Sequence, residues 1–337
     1  MDDGFDENIR SILGQSHPHF RVVFVVESDS DPAFAALFKL GAQPVLVAGP
    51  ARDCGQKVHN LSYAIQLLGN QADVYVFCDS DAHFPETWLE TLTKPLEDKS
   101  ITVASGYRWY VANRFHLPTL LRSAWNASVL GLLGGHKRNF AWGGSLAIRR
   151  ETFDRLNILN DAWRGSVSDD YAITRAVQRA GSHVTFVPEC LIPSHGECSF
   201  SELLEFSTRQ IIITHVYHPA LWRIAFFAQT LFNVTFIWLT FAMLSGNGVA
   251  TGLWLVIFSL AGIKSAIRQA SVRRVLRDHS LSRYAWFYIL SAPIVALLYQ
   301  YNMVRSALTS DIEWRQIHYS LISPHETRVR RSSAGAS

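Results

Sequence analysis

Three apolar segments near the C-terminal end constrain the fold of this chain more than any other feature of its sequence. Residues 222–244 and 284–304 are each long enough to cross a bilayer, which takes about 20 residues, whereas 249–263 is shorter. Pro293 is expected to break or kink the third segment, because proline lacks a backbone N–H and clashes with the preceding turn. Three such segments almost in succession favour membrane helices over the alternative, buried helices of a soluble domain.

The rest of the chain divides around these segments. Residues 1–220 are predicted to form a soluble domain, 221–305 to form transmembrane helices, and 306–337 to form an interfacial segment and tail. Within the tail, residues 312–322 combine apolar and aromatic side chains with nearby arginines, which is typical of segments that lie in a membrane interface.

Basic residues predict the orientation of an integral membrane protein. The loop between the second and third apolar segments is strongly positive, which places it in the cytoplasm by the positive-inside rule. The four cysteines show no pairing pattern, which indicates a soluble domain on the same, reducing side of the membrane. A third full crossing would leave an arginine-rich tail outside, so either that segment is re-entrant or the tail is an exception. The basic residues of the loop are Lys264, Arg268, Arg273, Arg274, Arg277 and Arg283, opposed by Asp278.

Strands alternate with helices through the soluble domain. The β-branched and apolar runs 21–26, 44–47 and 74–78 are predicted strands, and the segments between them are predicted helices. This order predicts βαβ units and therefore an α/β fold with a mostly parallel sheet.

Acidic residues follow two of these strands and begin a later helix. Glu27 and Asp29 follow the first strand, Asp79 and Asp81 follow the third, and Asp170 lies at the start of a helix. Strand ends converge on one cleft in such a sheet, where these acids could hold a base and ribose, hold a metal-diphosphate and remove a proton. Two hard oxygen ligands at Asp79 and Asp81 suit Mg²⁺ or Mn²⁺. The alternative is that each acid independently caps a turn or helix.

The order of these motifs resembles the processive-type glycosyltransferases of family 2, and within them the ceramide glucosyltransferase branch, family 21. The stretch Glu27-Ser28-Asp29-Ser30-Asp31 resembles the first acidic motif of that branch, Cys78-Asp79-Ser80-Asp81 its Cys-Asp-Ser motif, and Ser168-Asp169-Asp170-Tyr171 its Glu-Asp-Tyr motif. The resemblance covers roughly residues 5–220 and, more loosely, the apolar segments. It implies a GT-A-type, Rossmann-like domain followed by C-terminal transmembrane or interfacial helices.

The resemblance also implies roles for the acids. Glu27 and Asp29 would bind the nucleotide, Asp81 would be the direct metal ligand, and Asp79 would hold the ribose or a metal-bound water. Asp170 resembles the general base that takes the proton of the acceptor hydroxyl. Asp169 would belong to the donor-binding residues and either act on Asp170 through its like charge or cap the helix.

Four further residues are candidates for donor binding. Lys57 would approach the diphosphate or sugar, with a solvated helix start as the alternative. Gly144 would permit close approach of a sugar or acceptor, with a plain tight turn as the alternative. Arg209 or Gln210 would supply the first position of the family's Gln/Arg-x-x-Arg-Trp motif, whose Arg-Trp pair is replaced here by apolar residues. The chain begins at the first helix of the family pattern, so the first strand is expected to be missing.

Together with these features, the resemblance implies a membrane-bound, metal-dependent, inverting glycosyltransferase. It would transfer glucose or a related hexose from a UDP-sugar to a lipid hydroxyl such as that of ceramide, at the surface of a lipid bilayer. The alternatives are a processive polysaccharide synthase and a non-catalytic membrane scaffold that retains the fold. The formal net charge of +3 is too small to indicate nucleic-acid binding.

Overall fold

The computed structural model describes residues 4–69 and 71–331, which divide into two compact units. The helices are α1 Phe5–Leu13, α2 Pro32–Lys39, α3 Gln56–Leu68, α4 Trp88–Thr93, α5 Leu117–Leu130, α6 Arg150–Arg155, α7 Asp169–Arg179, α8 Phe200–Tyr217, α9 Pro219–Leu244, α10 Gly248–Leu276, α11 Ala285–Leu290 and α12 Ala292–Leu308. The strands are β1 Phe24–Val26, β2 Val45–Val47, β3 Val74–Cys78, β4 Val103–Tyr110, β5 Ser145–Arg149, β6 Thr185–Ser194, β7 Asp311–Trp314, β8 Ile317–Ser323 and β9 Glu326–Arg331.

Three separate stretches of the chain form the first unit. This unit contains the described residues of 4–109, 132–194 and 311–331, and the second unit contains 110–131 and 195–310. The division therefore differs from the sequential order of domains predicted above, because the tail beyond the apolar segments belongs to the same unit as the acidic motifs.

The first unit has the predicted α/β fold. Strands β1 and β2 pair in parallel and are joined by α2, which is a βαβ arrangement. The central sheet has the order β3-β5-β4-β6. Within it β5 runs antiparallel to both β3 and β4, so β3 and β4 point in the same direction. Because β3 and β4 point the same way, the end of β3 and the C-terminal half of β4 lie at the same edge of the sheet.

Both faces of the central sheet are buried. On β5, Leu146 and Ile148 contribute to one hydrophobic cluster and Ala147 to the other, as expected for side chains that alternate along a strand. Helices α1 and α4 cover the face of Ala147, and α3, α6 and α7 cover the opposite face. A sheet covered on both faces explains why its strands are almost continuously apolar.

The tail forms a three-stranded antiparallel sheet, β7-β8-β9, within the first unit. The backbone N–H of Gln56 donates to the Tyr319 hydroxyl at 3.3 Å, and the Thr327 hydroxyl donates to the carbonyl of Gly165 at 2.7 Å. A Cβ on Gly165, whose φ is +66°, would overlap the carbonyl oxygen of His325. Segment 312–322 thus differs from the interfacial segment expected from its composition, because its apolar side chains alternate along strands and most of them are buried.

The second unit consists of helices. Within the described residues, α9 and α10 are long and apolar enough to cross a membrane, and only 11% of the apolar window of each is buried. The third apolar segment is not one helix: it breaks at Ser291, and Pro293 lies in the first turn of α12. The predicted break at Pro293 is confirmed.

Candidate functional site

The register between β3 and β5 brings two motifs together that are distant in sequence. Cys78, the last residue of β3, pairs with Ser145, the first residue of β5. Because these strands are antiparallel, Asp79 lies beside Gly144. A Cβ on Gly144 would be 2.6 Å from Asp79 Oδ2 and would overlap the Trp142 ring, so no larger residue fits without movement. The neighbours of Gly144 are thus these two side chains, and the predicted approach of a sugar or acceptor to its backbone stays a prediction.

Arg108 lies at the same edge of the sheet, because β4 points in the same direction as β3. Its Nη2 is 2.7 Å from Asp81 Oδ1 and 3.4 Å from Asp79 Oδ2, and its Nη1 is 3.3 Å from Asp81 Oδ2. The guanidinium also lies over the Trp142 ring, 5.1 Å from its centroid. One positive group thus contacts both carboxylates of the Asp-x-Asp motif.

Lys57 joins that motif to the second acidic pair. It lies in the first turn of α3, where its Nζ is 2.8 Å from Asp79 Oδ1 and 3.3 Å from Asp169 Oδ2. The same Nζ donates to the carbonyl of Gly143 at 3.1 Å. Lys57 therefore has internal partners, and the alternative of a solvated helix start does not describe it.

The start of α7 presents Asp169 and Asp170 in different environments. Ser168 caps this helix, and both acids occupy the first turn, where the positive end of the helix dipole favours negative charge. Asp169 is buried, with a side chain that is 5% exposed. Asp170 is half-buried, and its Oδ2 accepts from the N–H of Gly143 at 3.1 Å. Its Oδ1 accepts from the N–H of Tyr171 at 2.7 Å and from the Ser168 hydroxyl.

The charges of this cluster shift pKa values in opposite directions. Burial raises the pKa of Asp169 to about 6, an effect that Lys57 opposes and that the negative charges of Asp170 and Asp79 reinforce. Burial would also raise the pKa of Asp79, but Lys57 and Arg108 outweigh it and hold that pKa below its ordinary value. Burial would lower the pKa of Lys57, yet the carboxylates of Asp169 and Asp79 raise it instead. The cluster therefore keeps Lys57 and Asp79 charged at neutral pH.

Other predicted donor residues do not join this cluster. Glu27 forms an ion pair with Arg331 of β9, and Asp29 is exposed in the turn after β1, with no contact to the cluster among the described residues. Arg209 lies on α8 of the second unit, where it pairs with Glu205 at 3.1 Å. Gln210 follows it on the same helix, and its carbonyl accepts from the Thr214 hydroxyl.

Sequence reasoning missed two side chains of the cluster, Arg108 and Trp142, and it also missed Arg331, the partner of Glu27. A usable signal existed for Arg108, because an arginine is unexpected in a strand whose other residues are all apolar or small. No local signal pointed to Arg331, since its partner Glu27 is 304 positions away in sequence.

The carboxylate oxygens of Asp79 and Asp81 at the edge of the sheet fit a single cation bound between them. Arg108 already shows that a single positive group can reach oxygens of both carboxylates. Among residues 4–69 and 71–331 no group of three or more histidine, cysteine, aspartate or glutamate side chains is arranged to hold a metal ion. A divalent cation here would therefore need further oxygen ligands from a phosphate or from water, which is the usual coordination of Mg²⁺.

Comparison with known proteins connects this geometry to a family. The family model described as glycosyl transferase family 21 matches residues 1–326, which is nearly the whole chain. No curated protein matches the chain.

Proposed function

The chain belongs to glycosyl transferase family 21, as its motifs predicted, and we propose that it transfers glucose or a related hexose from a UDP-sugar to a lipid hydroxyl such as that of ceramide. The observation that carries this proposal is the cluster of Asp79, Asp81, Asp169 and Asp170 with Lys57 and Arg108 at one sheet edge. In open α/β sheets this edge is where ligands bind.

The charge balance of the cluster supports a divalent cation. Its four carboxylates and two basic side chains leave two negative charges, which would repel a diphosphate. We therefore propose that Asp79 and Asp81 hold Mg²⁺ or Mn²⁺ together with the diphosphate of the donor. When bound, this ion neutralises the charge that develops on the departing UDP.

Asp170 is the proposed general base. It is the more exposed acid of its pair, and its carboxylate is oriented by the N–H groups of Gly143 and Tyr171. The acceptor oxygen would attack C1 of the sugar, the bond from C1 to UDP would break, and the hydroxyl proton would pass to Asp170. Attack from the face opposite UDP inverts the configuration at C1. A placed base of this kind typically contributes about 10²–10⁴-fold to the rate.

Asp169 and Lys57 are proposed to position the reacting groups. Lys57 contacts Asp79 and Asp169 together, so it ties the cation-binding motif to the helix that carries the base. Because Asp169 is buried beside this lysine, it is less accessible to an acceptor than Asp170 is.

The second unit supports a lipid acceptor. Only 11% of the apolar window of each of α9 and α10 is buried, and such exposed apolar surface is stable in a bilayer and unfavourable in water. We propose that these helices hold the protein in the membrane with its catalytic unit on the cytoplasmic face. There the donor would arrive from solution while the lipid hydroxyl stays at the interface.

The proposal is tested with membranes that contain the full chain, incubated with several labelled UDP-sugars and Mn²⁺ and then extracted with organic solvent. Label in the organic phase that depends on the chain, is lost with chelator, and is lost in Asp170→Asn supports lipid glycosylation. Label confined to insoluble polymer would indicate a polysaccharide synthase instead. No incorporation with any donor, together with no UDP-sugar binding, would indicate a non-catalytic scaffold.

A further inference from the structure

The helix that supplies Lys57 begins without a side-chain cap of its own. The N-cap residue of α3 is Gly55, which has no side chain to accept from the free N–H groups of the first turn. No larger residue fits at this position without movement, because a Cβ on Gly55 would be 2.6 Å from the carbonyl oxygen of Val167. The start of α3 is thus packed against the segment that leads into Asp169, and a side-chain cap has to come from elsewhere in the chain.

The tail sheet supplies that cap. The hydroxyl of Tyr319 on β8 accepts from the backbone N–H of Gln56, the first residue of α3, at 3.3 Å. Tyr319 is only 2% exposed, so packing fixes its ring in place. The side chain of Gln56 is held as well, because its Oε1 accepts from Arg331 of β9 at 2.6 Å and from the N–H of Ala51 at 2.9 Å. Two adjacent strands of the tail sheet therefore hold the residue that immediately precedes Lys57.

The same sheet also holds the segment that precedes α7. The hydroxyl of Thr327 on β9 is buried and donates to the carbonyl of Gly165 at 2.7 Å. The carbonyl of the next residue, Ser166, accepts from the N–H of the α3 N-cap residue at 2.8 Å. The tail sheet therefore contacts both of the segments that lead into the ion pair of Lys57 and Asp169, whose charged atoms are 3.3 Å apart.

We propose that Tyr319 is a positioning residue of the active site, which holds the start of α3 so that Lys57 stays in contact with both Asp79 and Asp169. The inference rests on the proposed function, in which Lys57 ties the cation-binding motif to the helix that carries the base. Such a residue acts without touching the donor, because a displacement of about 1 Å at the reacting groups can lower a rate by about 10²-fold. Without the hydroxyl of Tyr319, the N–H of Gln56 loses its partner, and the first turn of α3 opens more readily.

The test compares Tyr319→Phe with Tyr75→Phe as a matched control, each in the full chain in nanodiscs. Both substitutions remove a hydroxyl that bonds to the backbone of α3 or its caps, but at opposite ends of the helix. The Tyr75 hydroxyl donates to the carbonyl of Gly69, the C-cap residue, at 3.3 Å. Phenylalanine keeps the ring in both variants, so the packing around each position is retained.

Two quantities are measured on each sample. Hydrogen exchange is followed by mass spectrometry in residues 55–60, which contain the first turn of α3. Transfer from labelled UDP-glucose or UDP-galactose to ceramide in the nanodisc is measured with Mn²⁺ and divided by the number of sites that bind UDP. Because unfolded chains contribute neither sites nor product, a purely structural defect lowers the number of sites and leaves the transfer per site unchanged.

We expect Tyr319→Phe to speed exchange in residues 55–60 by about fivefold or more, as for loss of one hydrogen bond. It should also lower transfer per UDP-binding site by about tenfold. Tyr75→Phe should leave both quantities like those of the parent chain. Transfer per site in Tyr319→Phe within about twofold of the parent, or an equal loss in Tyr75→Phe, would overturn the role of Tyr319 alone. A parent chain that binds no UDP or transfers neither sugar would overturn the proposed function and this role together.

Discussion

Replacing Lys57 by methionine tests the central ion pairs of the site. Methionine has a similar length but no charge, so the substitution removes the contacts to Asp79 at 2.8 Å and Asp169 at 3.3 Å without opening a large cavity. It leaves Asp169, whose side chain is 5% exposed, as a buried carboxylate without its nearest cation. The expected result is a marked loss of stability of the folded chain.

The magnitude follows from the burial of the partners. Removing one member of a buried ion pair costs about 3–5 kcal/mol, because the remaining charge is left in a poorly solvated place. Lys57 and Asp79 are each 26% exposed, so solvent screens part of their interaction, and the lower end of the range, about 3 kcal/mol, is expected. For a domain of about 150–250 residues this corresponds to a decrease in Tm of about 6–12 °C.

The loss should depend on pH in a defined direction. The folded-state pKa of Asp169 is about 6, above the ordinary value of 3.8. A carboxyl group whose pKa is higher in the folded state than in the unfolded state stabilises the folded chain at a pH below its unfolded-state pKa. This stabilisation is lost as the pH rises through its folded-state pKa. Without Lys57 the pKa of Asp169 should rise further. Lys57→Met should therefore cost less stability at about pH 5 than at about pH 8.

The assay is thermal unfolding in detergent at both pH values for the parent chain, Lys57→Met, Asp169→Asn and the double variant. Because the amide introduced by Asp169→Asn carries no charge to bury, the double variant should recover much of the stability lost in Lys57→Met. Equal Tm values for the parent and Lys57→Met, or strictly additive losses in the double variant, would refute the reasoning that Lys57 compensates a buried Asp169.

Three further predictions concern the base, the cation and the membrane. Asp170→Asn should reduce sugar transfer by at least about 10²-fold in the membrane assay while UDP-sugar binding is retained. If Asp169→Asn lost most of the transfer activity and Asp170→Asn lost little, Asp169 would be the base instead. Arg108→Ala should tighten Mn²⁺ binding to the chain without bound UDP-sugar by about tenfold, because the guanidinium contacts the carboxylates of Asp79 and Asp81 and repels a second cation there. Electron paramagnetic resonance of free Mn²⁺ measures this affinity, and unchanged or weaker binding would contradict the prediction. A cysteine placed at Asn247, in the turn between α9 and α10, should react with an impermeant reagent from outside the cell, and one at Ser271 should not; the reverse result would invert the proposed topology.

Local patterns in the sequence were sufficient to locate the acids. The apolar run Val74–Cys78 predicted a strand with Asp79 and Asp81 at its end, and the structure has that strand with the same bounds. The two acids at positions 169 and 170 predicted the start of α7. The break at Pro293 was predictable as well, because proline constrains its own backbone whatever surrounds it. These features depend on side-chain period, helix-terminus electrostatics and backbone chemistry, which act over a few residues.

The partners of those acids depended on tertiary structure. Arg108 reaches Asp79 and Asp81 only because β5 pairs antiparallel with both β3 and β4, and no pattern within one strand encodes that register. The tail is the clearer case. Its composition is that of an interfacial segment, yet its alternating apolar residues pack within the first unit and bring Arg331 to Glu27. Whether these alternating apolar residues face lipid or protein depends on which apolar surface is available to cover them, because the hydrophobic effect favours removal of apolar surface from water whatever covers it.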